Sequence, residues 1–293
     1  MRTALIAAAN DGHFSLLEEL LLSVRAAAPP GGLDQIDLCV LDLGLTAEQQ
    51  TRIDHLADQR VIPGWDVDFP GREDMPGWFR AMTARPFLPN HFPDYDVYLW
   101  LDADTWVQDF FAIELLIRAG SDYGLGIVPE IDRSYGSLYG MGNARANAEA
   151  CYKEAFGEDV GERLTALPLL NSGVLAISAR SGVWAAWREI LRRALSQTSH
   201  KLVEQASLNL AIYQGGLGVH YLPSICNWLC VLGPPRIDPV RKLYVEPYLP
   251  FATLGILHLT ALTHATVDTF TTTGQPITTS LRYKDLDVLR ALL

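Results

Sequence analysis

Three things are scarce in this chain of 293 residues. Basic side chains are the first: 23 Lys and Arg stand against 34 Asp and Glu, a formal net charge of −11. That balance argues against a polyanionic partner such as nucleic acid, because phosphate backbones are gripped by clustered Lys and Arg. It also weakens electrostatic docking on anionic lipid, while leaving room for small anionic ligands that need only a few local cations. Long apolar runs are the second scarcity. No segment is long and apolar enough to span a bilayer, and the opening Thr3-to-Ala9 stretch meets Asn10-Asp11-Gly12 too soon for a signal peptide. Cysteine is the third: Cys39, Cys151, Cys226 and Cys230 show no C-x-x-C spacing, so free thiols are expected, not a zinc site. Low-complexity segments and internal repeats are missing as well. A cytoplasmic protein without a transmembrane segment is the expectation.

Apolar residues make up 49% of the chain, enough for a sizeable core. Thr3 to Ala9 reads as a strand, and Phe14 to Ala27 as a helix with Leu16, Leu17, Leu20, Leu21 and Val24 on one face. Pro29-Pro30-Gly31-Gly32 breaks it. Ile36 to Leu43 is a second strand, and Thr46 to Gln49 is a capping-box start for a helix reaching Ala57. Strand, helix, strand, helix signals a parallel sheet. Pro63 to Trp78 reads as a long loop, Arg80 to Leu88 as a helix, Phe110 to Ala119 as another, and Leu125 to Val128 as a strand. Ser134 to Ala148 reads as a surface excursion. Leu169 to Ser178 is a strand interrupted at its start by Asn171-Ser172-Gly173. Helices follow at Trp184 to Leu195 and Val203 to Tyr213, then short strands at Val219 to Leu222 and Gly255 to Leu259. The Thr-rich stretch from Thr266 to Thr279 reads as a loop before a short amphipathic helix at Leu286 to Leu293. The expected organisation is one domain over 1–265 and a tail over 266–293.

The chemistry concentrates where Val97-Tyr98-Leu99-Trp100-Leu101 ends in Asp102-Ala103-Asp104. An unbroken apolar run fits a strand buried on both faces. If the backbone stays extended through Ala103, both carboxylates project to one side. Open α/β sheets bind ligands beyond the carboxyl ends of their strands. Paired hard oxygen donors placed there suit a divalent cation that grips a diphosphate. The plainer account is a turn, which aspartates favour and which an isolated D-x-D more often is.

Four further segments carry polar groups in apolar surroundings: Ala8 to His13, Leu170 to Val174, Glu204 to Asn209, and Ile256 to Leu259 with His258. Taken singly, each has an ordinary account as a turn, a helix start or a core histidine. Trp65, Trp78 and Trp228 stand in loop settings, either as sugar-stacking surfaces or as buried anchors.

In their order along the chain, these segments resemble the retaining nucleotide-sugar glycosyltransferases of the GT-A fold, specifically family 8, the glycogenin and bacterial galactosyltransferase type. The family's A-A-D-x-N-Y is similar to Ala8-Ala9-Asn10-Asp11-Gly12-His13, and its R-x-F-L-P to Arg85-Pro86-Phe87-Leu88-Pro89. Its L-D-x-D matches Leu101 to Asp104, its N-[AS]-G-V matches Asn171 to Val174, and its D-Q-x-x-L-N matches Glu204 to Asn209. An L-P-x-x-x-N matches Leu222-Pro223 and Asn227. Of H-x-x-G-x-x-K only His258 remains, because Ala261 and His264 stand at the glycine and lysine.

The resemblance implies an α/β, GT-A type, Rossmann-like single domain with a central, mostly parallel sheet flanked by helices. It implies transfer of a hexose from a UDP-sugar to an acceptor hydroxyl with retention; the acceptor is a saccharide, a lipid-linked glycan, a protein or a small molecule. The cation would be Mn²⁺ or Mg²⁺, held by Asp104, His258 and Asp102, and an imidazole ligand favours Mn²⁺. Ala8, Asn10 and Asp11 would hold the base, Arg85 and Asp102-Ala103-Asp104 the diphosphate, and His264 would stand in for the lysine. Asn171, Glu204 and Gln205 would surround the sugar, with either Gln205 or Glu204 at the anomeric carbon. The alternative is a catalytically impaired nucleotide-sugar-binding or scaffold protein of the same fold. A haloacid-dehalogenase-type phosphatase is disfavoured, because its loop wants Thr or Val where this chain has Trp106.

Overall fold

The computed structural model describes residues 1–136 and 143–292. Strand β1 (Thr3–Ala9) leads into helix α1 (Phe14–Ala27), whose leucines at three- and four-residue spacing are buried and which stops before Pro29-Pro30. Strand β2 (Ile36–Asp42) precedes α2 (Ala47–Asp54), where Thr46 and Gln49 form a complete capping box. A short β3 (Gln59–Val61), not anticipated from the sequence, lines up beside β2. The segment from Pro63 to Trp78 is irregular apart from one short turn of helix, as expected. Helices α3 (Phe79–Ala84) and α4 (Leu88–His91) flank a tight turn at Arg85-Pro86-Phe87.

Strand β4 (Val97–Leu101) is buried throughout, then turns sharply into β5 (Thr105–Val107). Helix α5 (Phe111–Tyr123) and strand β6 (Leu125–Pro129) follow. The expected excursion at Ser134 to Ala148 falls partly outside the described residues. Its end belongs instead to α6 (Asn143–Phe156), in which Ala148 is buried against α7 (Glu158–Thr165) and its neighbours. Strand β7 (Leu170–Ser178), helices α8 (Val183–Leu195) and α9 (Val203–Tyr213), and strand β8 (His220–Tyr221) complete the main body.

The central sheet has seven strands in the order β3-β2-β1-β4-β7-β6-β8. All run parallel except β7, which is antiparallel to β4 and to β6. Successive residues of each inner strand enter opposite cores, as period-two alternation demands. Leu5, Ala7, Leu99 and Leu101 pack toward α1 and α5, while Ile6, Tyr98 and Trp100 pack toward α8 and α9. Covering both faces is what lets β4 be apolar at every position.

The chain then adds β9 (Trp228–Leu229), the hairpin of β10 (Arg236–Asp238) and β11 (Leu243–Val245), and β12 (Ile256–His258). A second sheet, β5-β12-β9, stands at the carboxyl ends of the main strands. The Thr-rich stretch is not a loop. It is a hairpin of β13 (Thr266–Phe270) and β14 (Pro276–Ser280), closed at Gly274, whose φ of 87° suits a residue without Cβ. β-Branched threonines favour strands, but with so few apolar positions the alternation left no legible period. Beyond it, Leu281, Leu286 and Leu289, the latter two in α10 (Leu286–Leu292), join the core around Trp106 and Trp228. Arg282 forms a buried ion pair with Glu19 of α1, donating from Nε to Oε2 over 2.9 Å and from Nη2 to Oε1, while its Nη1 donates to the Thr263 carbonyl over 3.1 Å.

All four cysteines are free and buried. Burial pushes the Cys39, Cys151 and Cys226 thiols up to about 12, so they are inert at neutral pH. Among the described residues no helix is long and apolar enough to cross a membrane.

Candidate active site

The carboxylates of Asp102 and Asp104 converge by a route different from the one expected. The backbone does not stay extended through Ala103. It makes a turn in which the Asp102 carbonyl accepts from the Thr105 N–H over 3.0 Å and from the Thr105 hydroxyl over 2.7 Å. Both the turn account and the convergence of carboxylates are therefore realised in the same four residues. The turn also starts β5, and β5 pairs antiparallel with β12 so that Thr105 faces His258. His258 is thereby carried to within 3.3 Å (Nε2 to Oδ1) of Asp104. One potential donor atom each of Asp102, Asp104 and His258 lies within 4.8 Å of the others.

The three groups make a site that calls for positive charge. Burial opposes ionisation of Asp104, yet the His258 imidazole beside it holds the carboxyl below its ordinary value. Burial likewise works against a charged His258, but Asp104, Asp102 and Glu130 together raise it above the ordinary histidine value. Two carboxylates and an imidazole nitrogen aimed at one point, with space beside them, fit a divalent cation of the Mn²⁺ type. The backbone leaves room for that approach. A Cβ on Gly173 would lie 2.6 Å from both Asp102 Oδ2 and His258 Cε1, so only glycine fits under the cluster. Gly173 sits where β7 loses register with β6, between Asn171 and Leu175. The Asn-Ser-Gly that was expected to interrupt the strand is thus an irregularity inside it.

Arg85 lies beneath this cluster. Its guanidinium stacks 4.7 Å from the centre of the Trp100 ring, Nη2 donates to Asp102 Oδ1, and Nη1 donates to Glu204 Oε2 over 2.8 Å and Ser172 Oγ over 3.0 Å. Trp100 Nε1 donates to the same Asp102 oxygen over 2.8 Å. With Oδ1 so engaged, Oδ2 is the oxygen of Asp102 that faces Gly173 and His258. Glu204 is almost wholly buried and its second oxygen has no partner. Burial pushes its carboxyl up to about 7, against the pull of Arg85.

Gln205 is oriented by the backbone. Its Oε1 accepts from the Ser172 N–H over 2.9 Å, so its Nε2 is the end left for a ligand. Asn171 is engaged on both sides: Oδ1 accepts from the N–H of Gly173 and from Asn227 Nδ2, and Nδ2 donates to Glu130 Oε1.

A cleft of about 740 Å³ gathers these groups. Its lining includes Ala8, Asn10, Arg85, Asp102, Ala103, Asp104, Asn171, Glu204, Gln205 and His258, each named from the sequence. Asp11 and His264 are not among the lining residues. Asp11 opens a short helical turn, and His264 is exposed beyond Thr263. Of the loop tryptophans, Trp78 lines the cleft, Trp228 is fully buried, and Trp65 packs on Phe69 and Phe79. The sequence reading missed Glu130, Lys201 and Ser172 as lining residues. Glu130 directly follows β6, and a carboxylate at the carboxyl end of a sheet strand is the signal that would have found it. Lys201 carried no such signal.

No known family profile matches this chain, and no curated protein matches it in sequence. Solved structures do match. The galactosyltransferase LgtC, crystallised with donor and acceptor sugar analogues, superposes with a TM-score of 0.58 over 99% of this chain and 96% of its own, at 16% identity. The fold is GT-A. An active-site mutant of LgtC gives 0.53 at 19% identity, over 87% of this chain and 86% of its own. The bifunctional glycosyltransferase WbbM gives 0.53 at 16% identity, over 77% of this chain and 39% of that one. The GT-A architecture accounts for the position of the cleft, which opens at the carboxyl ends of β1 and β4 and is walled by the second sheet.

Proposed function

We propose that this protein is a metal-dependent glycosyltransferase that moves a hexose from a nucleoside-diphosphate sugar, a UDP-sugar in the first instance, to an acceptor hydroxyl with retention. The observation that carries the reading is the convergence of Asp102, Asp104 and His258 at the lip of the sheet, inside a cleft large enough for a nucleotide sugar. Asp102 Oδ2, Asp104 and His258 Nε2 would hold the cation, with Mn²⁺ favoured by the imidazole. Bound there, the cation supplies Lewis-acid stabilisation of the charge that appears on the departing diphosphate.

The remaining roles belong to the protein's own side chains. Arg85 neutralises Asp102 and Glu204 and fixes which oxygen Asp102 turns to the cleft. Gln205 offers its amide N–H groups to sugar or phosphate oxygens, because its carbonyl oxygen is already taken by Ser172. Glu130 keeps one oxygen free to accept from a hydroxyl group. Ala8 and Asn10 at the end of β1 are assigned to the nucleobase. The catalytic domain is assigned to residues 1–265.

The test is release of nucleotide from a panel of nucleoside-diphosphate sugars with Mn²⁺, Mg²⁺ or chelator. The expected result is slow hydrolysis of one donor that needs Mn²⁺ and stops in chelator. Turnover undiminished by chelator would overturn the metal role, and tight donor binding without turnover would favour the impaired-binder alternative.

A further inference from the structure

A chain of buried amides runs from the cluster to the floor of the cleft, and its polarity is fixed by a backbone group. The N–H of Gly173 can only donate, and it points at one end of the Asn171 amide over 3.0 Å. That end is therefore Oδ1, and the other end, Nδ2, donates to Glu130 Oε1 over 2.9 Å. Asn227 meets the same Asn171 Oδ1 over 2.9 Å, so the atom it presents there is Nδ2. Its opposite end, Oδ1, then faces His258 Nδ1 over 3.0 Å. An acceptor in that position requires a proton on Nδ1. Asn227 and Asn171 are both buried, so water does not compete for these bonds.

We propose, on the metal-dependent reading above, that Asn227 is a positioning residue of the metal site. It holds His258 in the Nδ1–H form and leaves Nε2, 3.3 Å from Asp104, as the ring nitrogen available to a cation. Metal-binding histidines are oriented and made more basic by a partner on the other nitrogen; here a neutral amide serves, and its own orientation is dictated by Gly173. Asn171 becomes the anchor of this arrangement instead of a direct sugar contact. The β9–β12 pairing explains how the sequence achieves it. His258 pairs with Leu229, and Asn227, two positions before Leu229, shares its face one pleat back, within reach of the imidazole.

The test needs no sugar donor. Mn²⁺ binding to the full chain is titrated through the electron-spin resonance of free aqueous Mn²⁺. Asn227→Leu is expected to weaken Mn²⁺ binding about 10- to 100-fold while its metal-free melting transition stays cooperative. Asn227→Asp, which keeps an oxygen toward Nδ1, is expected to bind Mn²⁺ more tightly than the leucine variant. Equal affinities in those two variants, or wild-type affinity in Asn227→Leu, would overturn the proposal. If the leucine variant does not fold, nitrogen-15 spectra of the unmutated metal-free protein, taken at a pH where the His258 ring is neutral, decide: a proton on Nδ1 alone supports the assignment, and a proton on Nε2 alone refutes it. Absence of Mn²⁺ binding by the wild type would sink the metal-dependent reading separately, since the tautomer measurement does not depend on it.

Discussion

Arg85 and Asp102 are joined so that one carboxylate oxygen is occupied by the guanidinium and the other is left facing the cleft. The same guanidinium also neutralises Glu204, which among the described residues has no other cation beside it. Removing it would leave two carboxylates without their counter-charge, one of them deep in the protein. Arg85→Leu is expected to cost about 3–5 kcal/mol of stability, the usual result of stranding a buried charge. Arg85→Lys should recover only part of this, because one ammonium cannot form the fork that reaches both acids. Urea unfolding of the three proteins at neutral pH measures it, and a lysine variant as stable as wild type would show that the fork is unimportant.

Gly173 lies directly under the cluster. Gly173→Ala places a methyl group where Asp102 Oδ2 and His258 Cε1 already stand 2.6 Å away, so one of them must move. The expected effect falls on metal affinity more than on folding, with Mn²⁺ binding weakened at least about tenfold, as when ligand positioning is disturbed. Calorimetric titration with MnCl₂ provides the measurement, and unchanged affinity would mean the site tolerates the methyl group.

Cation binding should register as stabilisation. At a Mn²⁺ concentration about 100 times Kd the native state gains about 2.7 kcal/mol by linkage, which a thermal-shift series in Mn²⁺ would reveal. Asp104→Asn and His258→Gln should each remove that shift and abolish Mn²⁺-dependent donor turnover, leaving the metal-free transition in place. A persisting shift in either variant would place the ion elsewhere.

Glu204 gives the stability a pH dependence of known sign. Burial raises its carboxyl from the ordinary 4.5 to about 7, so between those values the folded chain keeps a proton that the unfolded chain has lost. The stability linked to this group is therefore complete below about pH 4.5 and declines as pH rises to about 7. Glu204→Gln should flatten that decline, seen by comparing unfolding free energies at about pH 5 and about pH 8. A slope as steep as wild type would assign the effect to other groups.

Trp78 is 39% exposed and lines the cleft, unlike Trp228, which belongs to the second sheet and is sealed in the core. If its ring stacks on the acceptor sugar, Trp78→Ala should raise acceptor KM about 2- to 12-fold, the equivalent of about 0.5–1.5 kcal/mol for an aromatic face, with donor KM unchanged. An unaltered acceptor KM would leave Trp78 a purely structural role.

Much of the frame was legible because both faces of the sheet are covered. Apolar continuity in Val97 to Leu101, helical spacing in α1 and the capping box at Thr46 are local signals, and each matched its element. The ligand trio was legible as residue types, since a D-x-D after a buried strand and a histidine between leucines both stood out. Their geometry was not. The turn at Ala103 was on offer as the plainer account of the two aspartates, but the β5–β12 pairing that brings His258 to them joins residues some 150 positions apart, beyond the reach of any local periodicity. The hairpin of β13 and β14 escaped for the opposite reason, being largely solvent-facing and so carrying little apolar alternation. Engagement of Arg85 with Asp102 and Glu204 was equally invisible, because an arginine motif does not say which acids it will meet.

The buried pair of Glu19 and Arg282 spans 263 positions and has a consequence for how the molecule is made. Helix α1 emerges from the ribosome first, and the cation that neutralises its carboxylate arrives only after 263 further residues have been synthesised. Until then Glu19 must stay hydrated, and the groove that Leu281 and Arg282 will fill stays open to water. Closure of this flank therefore waits on a segment made long after the helix it seals.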